Sequence, residues 1–408
     1  MNYFFPKLIQ GFSQWGGFIA IALLLTNCNA VLKNPSTQIA ANATPNPNIT
    51  NPDLIQQSWQ AYRQRFIQGD GRVIDREAED RSTSEGQAYA MLRSVLMDDR
   101  DMFERVLNWG ENNLQRQQPN GQRRDRLWAW KWGKNDQGGW GAIDANFASD
   151  GDLDAITALI LASRRWNKPE YLDLARSKLQ DLWALATVEA GNGKRYFLPG
   201  EKRLFQPQPD RVYLNPSYLA PYAFRLFAQV DPAHDWMALV DSSYTVLNQS
   251  AEVSQVGLPS DWIVLETASG KFQASQDDKL KSIYGFDAYR VWWRVSLDAI
   301  WFKEPRAQQY LQQYLQPLQE KWRSQKSIPA QLDLKGEAIV SYESTAQYAM
   351  LYAAFSQIDQ ETAAEIRQQK LLPTYQAGFW DGDSAYYSQN LVWFGLFSPE
   401  TVNAWFQF

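Results

Sequence analysis

Three short segments place carboxylates at helix starts, where acid–base chemistry can be held in fixed geometry. The first is Arg81-Ser82-Thr83-Ser84-Glu85-Gly86-Gln87. Ser84 and Gln87 have the spacing of a capping box, and Glu85 in a first turn complements the helix dipole. Gly86 weakens a helix start, so its presence implies that something approaches the backbone closely. The second is Ser149-Asp150-Gly151-Asp152-Leu153-Asp154, running into an amphipathic stretch that ends at Trp166. Asp152 reads as a cap. A calcium loop is not expected, because Leu159, Ile160 and Leu161 follow where oxygen ligands would have to continue. The third is Gly285-Phe286-Asp287-Ala288-Tyr289-Arg290-Val291-Trp292-Trp293-Arg294, followed by Asp298. Two arginines four apart are costly to bury unless paired. Asp287 with Arg290 or Arg294, and Asp298 with Arg294, are helix-spaced partners.

The rest of the composition narrows the chemistry. The chain has 408 residues with one His and one Cys. A zinc site with histidine, a Ser-His-Asp triad or a Cys-His pair would each need His234, which reads as a surface residue at a helix start. No phosphate-binding glycine fingerprint follows a strand. Acid–base work must therefore come from carboxylates, and no metal or other cofactor is expected. Forty basic against 45 acidic residues give a net charge of −5, which removes nucleic acid as a partner. The chain holds 18 Trp, 19 Tyr and 20 Phe. Trp128, Trp130, Trp132 and Trp140 fall in a glycine-rich loop, where they suit a ligand that lies flat on indole rings, as sugars do. A well-packed helical core is the plainer use of so many aromatics.

The elements that must position these groups are mostly helices. Apolar residues recur at three and four over 52–68, 86–98, 101–117, 152–166, 168–187, 216–229, 234–249, 287–303, 305–323, 343–357 and 359–370. Strand candidates are confined to 256–258 and 263–265. This predicts an all-α domain from about residue 51 to 408. A closed ring of six helical hairpins accounts for the length at about 59 residues per hairpin.

Residues 1–28 read as an export signal. Lys7 precedes an apolar run from Gly16 to Leu25, shorter than a membrane span needs. Cys28 stands where a lipoprotein signal has its lipid-modified cysteine, although Asn27 replaces the usual smaller residue. Residues 29–50, rich in Asn, Pro, Thr and Ala, read as a tether. An exported domain in the periplasm or at the cell surface, possible membrane anchoring through the N-terminus, and a monomeric state are expected.

Taken in order, these segments resemble glycoside hydrolase family 8, the bacterial endoglucanase family that also holds xylanases, chitosanases and lichenases. Ser84-Glu85-Gly86-Gln87 is similar to its acid motif, and Ala148-Ser149-Asp150-Gly151-Asp152 to its signature, with Ala155-Ile156 in reversed order. Asn215-Pro216-Ser217-Tyr218, Pro259-Ser260-Asp261-Trp262, Phe286-Asp287-Ala288-Tyr289-Arg290 and Tyr386-Tyr387-Ser388-Gln389-Asn390-Leu391 resemble further family segments. The resemblance implies an (α/α)6 barrel and endo-acting, inverting hydrolysis of β-1,4-glycans. By position it implies Glu85 as general acid, Asp287 as general base and Asp150 as a third acid that holds a distorted sugar. Arg290 and Tyr218 match residues lining the same cleft. Trp128, Trp132 and Asp152 complete the expected substrate contacts. Cellulose-like β-1,4-glucan is the first substrate choice, followed by mixed-linkage glucan, xylan and chitosan. The rivals are a glycan-binding protein that has lost activity on the same fold, a polysaccharide lyase, and a structural envelope protein.

Overall fold

The computed structural model describes residues 49–405. The expected signal with Cys28, and nearly all of the expected tether, lie outside the described residues. Most helices form where the periodicity places them; those over 202–205 and 386–396 lie outside the predicted stretches, and residues 115–117 form a strand instead. The helices are α1 (Asn51–Phe66), α2 (Ser84–Leu96), α3 (Arg100–Asn113), α4 (Ser149–Trp166), α5 (Pro169–Ala186), the single turn α6 (Lys202–Phe205), α7 (Pro221–Val230), α8 (Trp236–Val253), α9 (Tyr289–Trp301), α10 (Pro305–Tyr314), α11 (Gln316–Gln325), α12 (Thr345–Ile358), α13 (Gln360–Ile366) and α14 (Tyr386–Leu396). Their starts carry the expected signals. Thr50, Asp99, Asp235, Ser344 and Asp359 cap through their side chains. Prolines occupy the first turns of α1, α5, α7, α10 and α11.

Burial sorts these helices into two rings. In α9 every residue is buried, and in α4 every residue from Ser149 to Ala162 is. A helix buried on all sides belongs inside other helices. By contrast α1, α3 and α5 bury one stripe each, as in Met102, Phe103, Val106 and Leu107 of α3. The inner helices are α2, α4, α7, α9, α12 and α14, each packed on the next. The ring closes from α14 to α2. Tyr89 meets Phe394 edge-on at 5.1 Å, and Arg93 donates to Gln389 O at 3.5 Å and Asn390 Oδ1 at 3.4 Å. The outer layer is α1, α3, α5, α8, α10 with α11, and α13. This is the expected (α/α)6 barrel. The first helix also joins the last, since Asn51 Nδ2 donates to Leu396 O at 3.4 Å; on its other side Asn51 Oδ1 accepts from Arg367 Nε, just after α13, at 2.7 Å. None of the described helices is long and apolar enough to cross a membrane.

The strands correct the sequence reading. Twelve short strands form five small antiparallel sheets among the described residues. Ser82–Thr83 (β1), Gln115–Gln117 (β2), Arg123–Trp128 (β3), Lys131–Lys134 (β4) and Trp140–Asp144 (β5) come first in the chain. The glycine-rich Trp loop is thus two hairpin arms, with β1–β4–β5 in one sheet and β2–β3 in another. Residues 263–265 do fall in a strand, Ile263–Glu266. Residues 256–258 do not. The stretch 305–323 is broken at Leu315 ahead of Pro317, giving α10 and α11. The stretch 216–229 begins as a separate 3-10 turn, Pro216–Tyr218.

Candidate active site

The inner helices α2 and α4 begin at the same end of the barrel, and α9 begins beside them. Glu85 and Asp150 both lie in first turns. Close approach of the two helix starts requires Gly151: a Cβ there would stand 2.6 Å from Ser84 Oγ and 2.9 Å from Glu85 N. Asp287 precedes α9, and Arg290 lies in its first turn.

Arg290 gathers the three carboxylates. Its Nη1 donates to Glu85 Oε2 at 2.6 Å and to Asp150 Oδ2 at 2.8 Å. Its Nη2 donates to Asp287 Oδ1 at 2.9 Å and to Ser217 Oγ at 3.0 Å. The Arg290 side chain is 2% exposed, whereas Glu85 and Asp287 keep 18% and 19%. The two outer carboxylates therefore face open space while the guanidinium sits beneath them. Tyr218 lies under the same guanidinium, 5.4 Å from its ring centroid. Of the sequence-predicted residues, Glu85, Asp150, Asp287, Arg290 and Tyr218 come together.

Residues the sequence reading left without a role complete the site. Asn215 Nδ2 donates to the second Asp287 oxygen, Oδ2, at 3.0 Å, and Asn215 Oδ1 accepts from Ser217 Oγ at 2.7 Å. Asp261 Oδ1 accepts from Gly285 N at 3.1 Å and Ala288 N at 2.8 Å, so it holds the turn that carries Asp287. Gly285 makes this possible, since a Cβ would stand 2.6 Å from Asp261 Oδ2. One turn deeper, Arg294 grips Asp154 through both oxygens, one of them at 2.7 Å, and also donates to Tyr222 Oη at 2.6 Å. The available signal was spacing: Asp154 follows Asp150 by four, as Arg294 follows Arg290.

The electrostatics separate the two outer acids. Burial raises Glu85 to about 8; Arg290 opposes this, and Asp150, Asp287 and Asp154 add to it. This reverses the lowering expected from a helix start. Burial also raises Asp287, but Arg290 and the Asn215 amide both favour its charged form.

Several expectations fail. Ser84 does not cap α2; Thr83 does, accepting from Gly86 N at 3.1 Å. Gln87 instead ties loops together, accepting from Val73 N and donating to Gly71 O and Val106 O. Asp152 does not cap α4. It is fully buried, accepts from Trp128 N at 3.0 Å, and is raised by burial to about 7. Trp128 is 0% exposed, with Nε1 on Glu111 at 2.9 Å and Lys178 Nζ over its ring at 4.5 Å. Its ring belongs to the core, because β3 turns it under the hairpin against Gly110. Trp130 is buried as well. Trp132, by contrast, stays partly open: it pairs with Ser82 on the strand leading to Glu85, and its half-buried ring packs on Trp109 of α3 and stacks on the exposed Trp140 at 5.2 Å. Asp298 does not pair with Arg294. It binds Arg225 at 2.9 Å and the Tyr244 hydroxyl. His234 is half-buried just before α8, with Nδ1 2.7 Å from Asp231 Oδ2.

Comparison with known proteins agrees with this architecture. The family model for glycosyl hydrolases family 8 matches residues 34–400, beginning inside the segment read as a tether. An endoglucanase of Xanthomonas axonopodis pv. citri is 36% identical over 243 residues, 59% of this chain and 60% of that protein. An endoglucanase of Escherichia coli K12 is 32% identical over 241 residues, 59% of this chain and 62% of that protein. The aligned part thus spans about three fifths of the length of these relatives. The crystal structure of endo-1,4-D-glucanase from Vibrio fischeri ES114 superposes with a TM-score of 0.69 at 25% identity, covering 83% of this chain and 93% of that one. With a family match across most of its length and the ring of six inner helices closed around Arg290, the chain belongs to the glycosyl hydrolases of family 8.

Proposed function

We propose that the protein is an endo-acting hydrolase of β-1,4-glucan that works with inversion, with Glu85 as general acid and Asp287 as general base. The observation that carries this reading is the single guanidinium of Arg290 holding Glu85 on one nitrogen and Asp287 on the other. The span between their bound oxygens is at most 2.6 Å, the width of a guanidinium and 2.9 Å laid end to end. An inverting pair needs roughly 6.5–9.5 Å between its carboxyls for a water to fit between base and sugar, and this upper limit leaves room for that. Glu85, raised to about 8, holds a proton at neutral pH. It gives that proton to the glycosidic oxygen as the bond to the anomeric carbon breaks. Asp287 takes a proton from the attacking water, whose oxygen bonds to the anomeric carbon from the opposite face. Bulk water then restores both protonation states. Asp150, fixed on Arg290 Nη1, holds the sugar at the scissile bond in its distorted form, and Tyr218 and Arg290 line the same floor.

The relatives named endoglucanase support glucan over xylan or chitosan as substrate. Export through residues 1–28, a lipid on Cys28, a tether over 29–50 and a monomeric enzyme at the cell surface or in the periplasm complete the proposal.

The test is reducing-end release from carboxymethylcellulose, lichenan, xylan and chitosan by the parent, Glu85→Gln and Asp287→Asn. Release from a β-1,4-glucan, lost by about 10²–10⁴-fold in each variant, is the expected result. NMR of the first product must show the α-anomer; a β-anomer sinks the inverting mechanism. Binding without release by the parent moves the assignment to a glycan-binding protein. Mass spectrometry of the membrane-extracted chain checks Cys28.

A further inference from the structure

The strand Arg211–Leu214 leads directly into Asn215, whose side chain holds Asp287. Asn215 keeps an extended backbone, φ −112° and ψ 109°, so the strand's alternation carries through it. Val212 and Leu214 point into the core. Arg211, Tyr213 and Asn215 therefore share the opposite face. The register continues that face across the sheet. Tyr213 pairs with Val264 on Ile263–Glu266, and Val264 with Gln273 on Phe272–Ala274. The preceding position on the same face of the middle strand is Trp262, half-buried and stacked on Phe205 at 5.8 Å.

This face is concave. Arg211, Tyr213, Val264, Gln273 and Asp277 line an open depression of about 400 Å³. Arg211, Tyr213 and Gln273 are half-exposed, and Arg211 Nε has no hydrogen-bond partner. One cation and one carboxylate leave no net charge to attract an ionic ligand. Planar guanidinium and amide groups pair with neighbouring hydroxyls, and a phenol ring offers a face to the C–H side of a sugar. A rise of about 3.3 Å per residue sets Tyr213 and Arg211 about 7 and 13 Å along the strand from Asn215. Those distances lie beyond the sugar being cleaved but within reach of later rings of the same polymer.

We propose that this sheet face is a distal binding site for the β-glucan chain, where Tyr213 stacks on a sugar ring and Arg211 and Gln273 bind its hydroxyls. The inference rests on the β-glucan reading of the carboxylate site and identifies what grips the polymer away from the scissile bond. Such a grip acts only on chains long enough to span both places.

The experiment compares kcat/KM for cellotriose and cellohexaose in the parent, Tyr213→Ala and Tyr213→Phe. Calorimetric binding of cellohexaose to Glu85→Gln, with and without Tyr213→Ala, runs alongside. In Tyr213→Ala the preference for cellohexaose over cellotriose should fall about tenfold, mainly through KM, and cellohexaose should bind about tenfold more weakly. Tyr213→Phe, which keeps the ring, should restore both. Equal losses on short and long chains, or no loss on either, overturn the proposal and leave the catalytic assignment standing. A parent that cleaves neither oligosaccharide, with a Glu85→Gln variant that binds none, overturns both.

Discussion

A methyl group on Gly86 would stand 1.9 Å from the Tyr386 hydroxyl and 3.0 Å from the ring carbon that carries it. Gly86 lies beside Glu85 at the start of α2, and Tyr386 opens α14. The contact thus sits on the seam where the inner ring closes. Alanine would gain about 1 kcal/mol in helix propensity, but overpacking costs typically 1–3 kcal/mol. Gly86→Ala should therefore be less stable in denaturant melts. Adding Tyr386→Phe should recover part of the loss by removing the closest atom.

The pH behaviour follows from Glu85. Activity that needs its proton should fall as pH rises through about 8. Asp287 is raised too, so the acid limb should lie above that of an ordinary aspartate. Stability has a definite sign. The folded Glu85 keeps a proton that the unfolded chain releases above 4.5, so stability present below 4.5 is lost between 4.5 and about 8. Glu85→Gln removes this dependence. The Tm of the variant should gain on that of the parent across this window and level off above it. A gap that stays constant with pH contradicts a buried, protonated Glu85.

Arg294 and Asp154 are both fully buried. Breaking such a pair from one side leaves a naked charge and costs about 3–5 kcal/mol, whereas replacing both partners by apolar groups is often neutral. Asp154→Asn should be strongly destabilised in urea. Asp154→Leu with Arg294→Met should return close to the parent. If the double variant is as unstable as the single one, the pair contributes through hydrogen-bond geometry, Tyr222 included.

Trp128 belongs to the core. Trp128→Ala should cost about 3–5 kcal/mol, and the loss should appear as a lower Tm. KM for glucan, measured on the folded fraction, should not change. A raised KM would restore Trp128 to the substrate site.

The three carboxylate segments were visible as helix starts, but local rules alone read them as caps; it was their order along the chain, through the family resemblance, that joined them in one site. Glu85 and Asp150 sit in first turns, and Asp287 lies three residues before Arg290, with which it pairs. Pairing between helices is not local. Within one helix Arg294 and Asp298 have ideal spacing, yet each binds a partner elsewhere, Asp154 and Arg225. The strands escaped for a different reason. Arg123-Arg124-Asp125-Arg126 of β3 is polar on both faces, so no apolar alternation marks it. That hid the hairpins, and with them the fact that Trp128 turns inward. Gly86 posed a question in the sequence that only the position of Tyr386 answers.

The bond between Asn51 and Leu396 spans 345 residues. Every shorter nascent chain is an open arc with two unfinished apolar edges. Loop-closure entropy must be overcome before the last contact forms, so the ring can lock only after α14 has emerged. Until then the arc is prone to stick to other chains. A nonsense mutation ahead of Tyr386 would spare Glu85, Asp150, Asp287 and Arg290 and still yield no working barrel. The integrity of the carboxylate floor is inherited from the last helix of the inner ring.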